Sequence, residues 1–218
     1  MKITKCSLSI VLVLSLASMA HAIQIYNFSS LPGASIQFNG TSSDFLFNSL
    51  ADGTQWWITG ESGQPGGSVL TLKGWFTGGP WSYGSISGVS DQSAPVSTSP
   101  AMLKIDDGTG TLATANVTWG VVSTSPTGGL NAGLTVNLFD LSYTGLNVDL
   151  RSFFSNPSGE LNLSFQYDPA MSLTQLTQGS GPYTTSFSGT LTPVPEPGSV
   201  LLLGLGFFAL LGRRALKR

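Results

Sequence analysis

The stretches LTVNLFD (residues 134–140) and LNLSFQY (residues 161–167) decide the fold class. Leu134, Val136 and Leu138 in the first, and Leu161, Leu163, Phe165 and Tyr167 in the second, alternate with mostly polar residues. A period of two marks a strand with one dry face and one wet face. Working outward, similar segments begin near Ile23, Ser35, Phe45, Gln55, Ser68, Trp81, Met102, Ala113 and Thr184. Turn clusters divide them, among them Pro32-Gly33, Asp52-Gly53, Asp107-Gly108, Asn156-Pro157 and Ser180-Gly181-Pro182. The 27 glycines and 12 prolines of the chain fit a protein of strands and turns, with no long helical period between its two ends. About ten to twelve short strands at this spacing predict an all-β fold, an antiparallel β-sandwich or jelly roll. It is assigned to residues 23–192.

The N-terminus reads as a secretory leader. Lys2 and Lys5 form a positive region, Leu8 to Ala17 an apolar one, and Ala20-His21-Ala22 a small-x-small site for signal peptidase. The apolar stretch is well short of the roughly 20 residues that cross a bilayer, so residues 1–22 are expected to be cleaved and the mature chain to begin at Ile23. The chain's one histidine, His21, and one cysteine, Cys6, leave with that leader. Without them the mature protein forms no disulfide, no thiolate or imidazole metal site, and no His-base or Cys-nucleophile mechanism. No cofactor or metal is expected, and the fold is held by its core.

Charge is sorted along the chain in a way that the formal value of -2 conceals. Between Ile23 and Val194, Lys73, Lys104 and Arg151 stand against ten carboxylates, a net charge of -7. Three scattered cations do not neutralise a phosphate backbone, so nucleic acid is excluded as a partner. The remaining cations gather at the C-terminus: Arg213, Arg214, Lys217 and Arg218 follow an apolar run from Val200 to Leu211, itself preceded by Pro195, Glu196 and Pro197. That run, with the residues around it, makes about 22 Å of helix, short for a hydrocarbon core of about 30 Å, and snorkelling of Arg213 and Arg214 makes up part of the difference. A terminal helix apolar on all sides and flanked by cations suits a membrane, with its basic end in the cytoplasm and the body outside.

This C-terminal module resembles the PEP-CTERM sorting signal of Gram-negative bacteria. The resemblance is carried by Val194, Pro195, Glu196, Pro197 and Gly198, the Gly-containing apolar run and the basic tail, and it covers residues 193–218. It implies an exported surface or matrix protein of a bacterium that makes exopolysaccharide, recognised by an exosortase-type membrane enzyme that cuts near the triplet. Pro195, Glu196 and Pro197 are then the recognition motif, Val200 to Leu211 the transient anchor, and Arg213 and Arg214 the stop-transfer charge. One departure is that Ala215 and Leu216 split the basic cluster. The body also resembles uncharacterised β-rich members of such families. The resemblance implies inner-membrane anchoring first, then the cell surface or matrix after processing.

Within the body, no motif assembles a catalytic site. Asp106-Asp107-Gly108-Thr109-Gly110 offers carboxylates in a turn but lacks the acidic ladder and distal Glu of an EF-hand, so a hairpin turn is expected there. Glu61 and Glu160 with the aspartates provide material for a glycosidase pair, which sequence alone does not place across a cleft. There is no GxSxG elbow. Two loops, Gly60 to Gly67 and Gly88 to Pro100, are long enough to fringe a site, and surface connection is their ordinary role. Residues 191–197 (LTPVPEP), with three prolines, are expected to leave the body as a semi-extended stalk.

Tryptophan is the remaining signal. Trp56-Trp57, Trp75, Trp81 and Trp119 fall mostly in one third of the chain. Neighbours on a strand face opposite ways, so Trp56 and Trp57 do not share one core unless both faces are covered or a bulge intervenes. An outward indole is a platform for a sugar ring, with Gln55 and Thr59 beside it for hydroxyls, although core packing is the commoner use of tryptophan. The chain is thus expected to be a non-enzymatic surface or matrix component, with carbohydrate binding, exopolysaccharide above all, as the second reading.

Overall fold

The computed structural model describes residues 24–62, 68–97, 99–125 and 132–194. Among them the elements run β1 (Ile25–Ser30), β2 (Ser35–Phe38), β3 (Asp44–Asn48), β4 (Trp56–Ser62), β5 (Lys73–Thr77), β6 (Trp81–Ser82), β7 (Gln92–Pro95), β8 (Ala101–Asp106), β9 (Leu112–Thr124) and β10 (Ala132–Ser142). Helix α1 (Val148–Phe154), β11 (Ser158–Phe165), helix α2 (Leu173–Gln178), β12 (Tyr183–Thr185) and β13 (Phe187–Val194) complete the order.

Eight strands close into an antiparallel barrel in the order β10-β11-β13-β1-β4-β5-β8-β9, with β9 returning to β10. Strand β7 lies on β9 beyond the end of β8, and β12-β2-β3-β6 form a separate four-stranded sheet. The all-β expectation holds, but the sandwich or jelly roll does not: one sheet meets itself instead of facing another. The physical reason is that a period of two reports only that each strand has a dry face. It is silent on whether that face looks at an opposing sheet or across a lumen. Closure is settled by the β9–β10 ladder and by three register shifts, one between β1 and β4 and two between β9 and β10. Such bulges bend and twist strands at the rims of barrels.

The lumen is a packed core. Tyr26, Phe28, Ile58, Leu103, Ile105, Leu134, Leu138 and Leu161 point in and are buried. Outside, the same strands present Asn27, Thr114, Asn116, Thr118, Asn137, Glu160, Asn162 and Thr190. This polar outer wall is the inverse of a membrane-spanning barrel, whose outer face is apolar.

Two different caps seal the ends. At one, α1 inserts Leu150, Phe153 and Phe154, with the Phe153 ring stacked on Tyr26 at 5.2 Å. The helix starts where it does because the Asn147 side chain accepts from the amides of Asp149 (3.1 Å) and Leu150 (3.0 Å), with Asp149 in the positive first turn. At the other end the four-stranded sheet lays Phe45, Phe47 and Trp81 against barrel residues. Trp119 is 4.8 Å from Trp81 and 5.9 Å from Phe47, which also meets Phe76 at 4.9 Å and Phe187 at 5.0 Å. Helix α2, opened by a Ser172–Gln175 capping box, docks beside this sheet through Leu173 and Leu176.

Gln55 ties the sheet to the barrel. Its Nε2 donates to the Phe76 carbonyl (3.2 Å) and the Ser49 hydroxyl (3.1 Å), and its Oε1 accepts from the Phe76 amide (2.8 Å). It is buried and structural, so it offers nothing to a sugar.

Two local expectations also change. Residues 92–95 inside the expected loop Gly88 to Pro100 form β7. Residues 191–194 are no stalk: they continue β13, with Thr192, Pro193 and Val194 opposite Glu160, Gly159 and Ser158 of β11. The pairing of β13 with β1 stops at Leu191, so Pro193 stands where only one flank is paired, a position that tolerates a residue without an N–H.

Candidate functional site

The sorting segment and the barrel meet at one end of the molecule. Strand β13 ends at Val194 beside Ser158, which lies just after α1, and β1 begins at Ile25 beside Ser62. The two chain ends therefore leave from adjacent antiparallel strands, at the end that α1 caps. Signal-cleavage residues Ala20 and Ala22, the triplet Pro195, Glu196 and Pro197, the apolar run and the basic Arg213 and Arg214 lie outside the described residues. Among the described residues no helix is long and apolar enough to cross a membrane.

On the barrel wall, the tryptophan pair divides. Trp56 points into the lumen and is 0 % exposed, so it presents no face to a ligand. Trp57 points out and is 37 % exposed. In the register of the wall Trp57 stands opposite Lys73, and Trp75 stands opposite Lys104 on the next strand. Two indoles and two of the three cations between Ile23 and Val194 therefore share one outer patch. Trp75 was part of the tryptophan cluster in sequence, but its role was not visible there. The signal was the alternation Lys73-Gly74-Trp75, which needs the β4–β5 and β5–β8 registers before it becomes a surface.

A cleft of about 430 Å³ opens along this patch, lined by Trp75 and Lys73 with Asp52, Thr71 and Asp106. Lys73 Nζ donates to Asp52 at 3.1 Å. The Asp52 carboxyl is held down at about 2, first by the Thr54 hydroxyl, then by the Thr54 amide and Lys73. Another cleft, of about 460 Å³ near the sheet-capped end, is lined by residues such as Asp91, Gln92, Ser123, Ser125 and Ser164 and has no aromatic face.

The acidic turn after β8 is an Asx structure tied to Tyr143. Asp106 Oδ1 accepts from the amides of Gly108 (2.8 Å) and Gly110 (3.2 Å). Asp107 Oδ1 accepts from the amides of Thr109 (2.8 Å) and Thr111 (3.2 Å), and its Oδ2 from the Tyr143 hydroxyl (2.7 Å). Burial alone raises the Asp107 carboxyl, but the Thr109 and Tyr143 hydroxyls and the two amides outweigh it, and the net shift is downward. Both Asp52 and Asp107 thus have folded values below their unfolded ones. Their contribution is complete above the unfolded value of about 3.9 and is lost as pH falls through the folded values. The melting temperature should be level above about pH 5 and fall between about pH 4 and pH 2, with a shallower fall in Asp107→Asn. An equal slope in wild type and variant removes Asp107 from this account.

The carboxylates Glu61 and Glu160 do not face each other. Their strands are separated by β1 and β13, three strand spacings or about 14 Å of wall. Glu160 is exposed on the outside, while Glu61 accepts from Gln24 Nε2 at the rim.

Residues 193–218 match the PEP-CTERM protein-sorting motif. The chain carries a PEP-CTERM sorting signal. No curated protein and no solved structure matches it. The PEP-CTERM motif implies exosortase-dependent sorting of an exported, membrane-processed protein, so an exosortase-type membrane enzyme is a partner of this chain. The first matched residues, Pro193 and Val194, belong to β13, and the motif grows directly out of the barrel wall.

Proposed function

We propose that this PEP-CTERM protein is a non-enzymatic component of the cell surface or extracellular matrix, a closed barrel delivered as finished cargo. The observation that carries this reading is the junction at Val194. The sorting signal begins in the last residues of a paired barrel strand, so processing leaves a folded body with no long spacer. Supporting the non-enzymatic part, residues 24–194 contain neither His nor Cys, Asp106 is engaged within its own turn, and Asp52 and Asp107 are held by their turns and by Lys73 and Tyr143 respectively. Glu61 and Glu160 stand farther apart than the roughly 5–10 Å of glycosidase pairs.

The test is intact mass of the native protein from membranes and from culture medium. A species that starts at Ile23, after signal-peptidase cleavage, and ends near Pro197 agrees with the proposal. A full tail in both fractions makes the segment a permanent anchor and overturns delivery.

A second reading, binding of exopolysaccharide, is favoured by the Trp57–Trp75 patch. Indole faces stack on the apolar faces of sugars, and Lys73, Lys104, Asp52 and Thr71 surround them with hydrogen-bonding groups. Trp57→Ala with Trp75→Ala should abolish retention on the producer's own polysaccharide while leaving the unfolding midpoint near that of wild type. Equal retention of the double variant, or none by wild type, sinks this reading.

A further inference from the structure

We propose that the α1-capped end of the barrel is a membrane-seating surface, with Leu146 and Val148 entering the headgroup layer of the bilayer that receives the C-terminal apolar run. The inference rests on the membrane processing implied by the sorting motif, not on the surface or glycan readings.

Leu146 is 87 % exposed and Val148 is 66 % exposed, uncommon values for adjacent apolar side chains in so polar a body. They do not sit on a loose loop. Asn147 between them caps α1, and its Nδ2 donates to the Ser68 carbonyl at 3.0 Å. Arg151 Nη2 donates to the Gly145 carbonyl at 2.6 Å, and the Ser68 hydroxyl donates to Asp149. The turn is pinned on both sides while its two apolar side chains project outward. Aliphatic side chains held out on a rigid rim are suited to an interface that is apolar just below its surface.

The location supplies the occupant. Val194 pairs with Ser158, four residues past the end of α1, so the chain leaves the barrel at the end that carries this turn. Only residues 195–199 separate Val194 from the apolar run that begins at Val200. Fully extended, that link spans at most about 20 Å. The headgroup layer on one side of a bilayer is roughly 5–8 Å thick. A body tethered so closely rests with its exit end toward the lipid, and Leu146 and Val148 are on that end. The opposite, sheet-capped end provides the internal comparison, because Val89, 96 % exposed, lies in the hairpin leading to β7 there.

The test uses the full-length chain with Cys6→Ser, which leaves no native cysteine, and single substitutions Leu146→Cys, Val148→Cys or Val89→Cys. Each is labelled with an environment-sensitive nitrobenzoxadiazole dye and reconstituted into phosphatidylcholine–phosphatidylglycerol vesicles containing a doxyl-lipid quencher. The expected result is a blue-shifted emission, quenched by the doxyl lipid, at positions 146 and 148, and solvent-like emission without quenching at 89. Solvent-like emission at all three positions overturns the proposal. So does a blue shift at 146 that ignores the lipid quencher and grows with protein density, which assigns the surface to a second copy. Processing of the tail is read separately by mass, so either result stands independently of the delivery reading.

Discussion

Trp56→Ala should lower the stability of the barrel by about 3–5 kcal/mol, while Trp57→Ala, one residue on, should change it by less than about 1 kcal/mol. The Trp56 ring lies inside the lumen, 4.8 Å from Phe28 and 6.2 Å from Phe76. Its indole N–H has no acceptor among the described residues, so truncation forfeits packing alone and no hydrogen bond. The space cannot be refilled cheaply. Gly74 stands directly opposite, and the ring lies over it so closely that any side chain at position 74 would collide with it. The wall beneath Trp56 is therefore bare backbone, and removing the indole leaves a cavity with nothing to collapse into it. Against a total of about 5–15 kcal/mol, such a loss is a large fraction of what keeps a domain folded. Trp57 loses only the contacts of a half-exposed outer side chain. Urea midpoints for the two variants, at unchanged denaturant slope, make the comparison, and equal shifts would show that the inside-outside assignment of β4 is wrong.

Replacing Glu196 with alanine together with both flanking prolines should remove the processed species entirely and leave the chain in the membrane fraction with its tail intact. Proline fixes φ near -65° and biases its predecessor toward extended backbone, and Glu196 supplies the one carboxylate between the two prolines. An enzyme that reads such a segment pays little ordering entropy, and a triple-alanine replacement discards both the shape and the charge. Residual cleavage at the wild-type rate, read by intact mass, would place recognition in the apolar run or the basic tail instead.

How much of this was legible in the sequence differs from residue to residue. Leu134 to Leu138 and Leu161 to Tyr167 announced their dry faces correctly, because side-chain alternation is a local property of an extended chain. That Trp56 and Trp57 face opposite ways followed from the same rule, but which of them faces in depends on the β1–β4 register and its shift at Asn27, which no local pattern encodes. Barrel closure was illegible for a related reason. The β9–β10 hairpin is local, but the ring is complete only with pairings such as Tyr26 against Leu191, which join residues far apart in the chain. Proline misled at 191–194, where composition suggested a free stalk and the neighbouring β11 had already claimed the backbone. The outer patch was half legible: its tryptophans were conspicuous, yet Lys73 and Lys104 joined them only through registers across β4, β5 and β8.

The clasp on β13 also has a mechanical meaning. The strand is bonded to β11 along its full length and to β1 over its first part, and the chain leaves it at Val194, the last residue of that ladder. A pull applied at Val194 along the strand axis, from a translocating machine or from flow across the cell surface, runs parallel to both ladders. Loading in shear strains many hydrogen bonds at once, whereas a transverse pull would break them singly. Forced unfolding is governed by the height of its barrier, and this geometry raises that barrier for a pull along the axis of β13. A pull strong enough to move the tail moves the whole barrel with it.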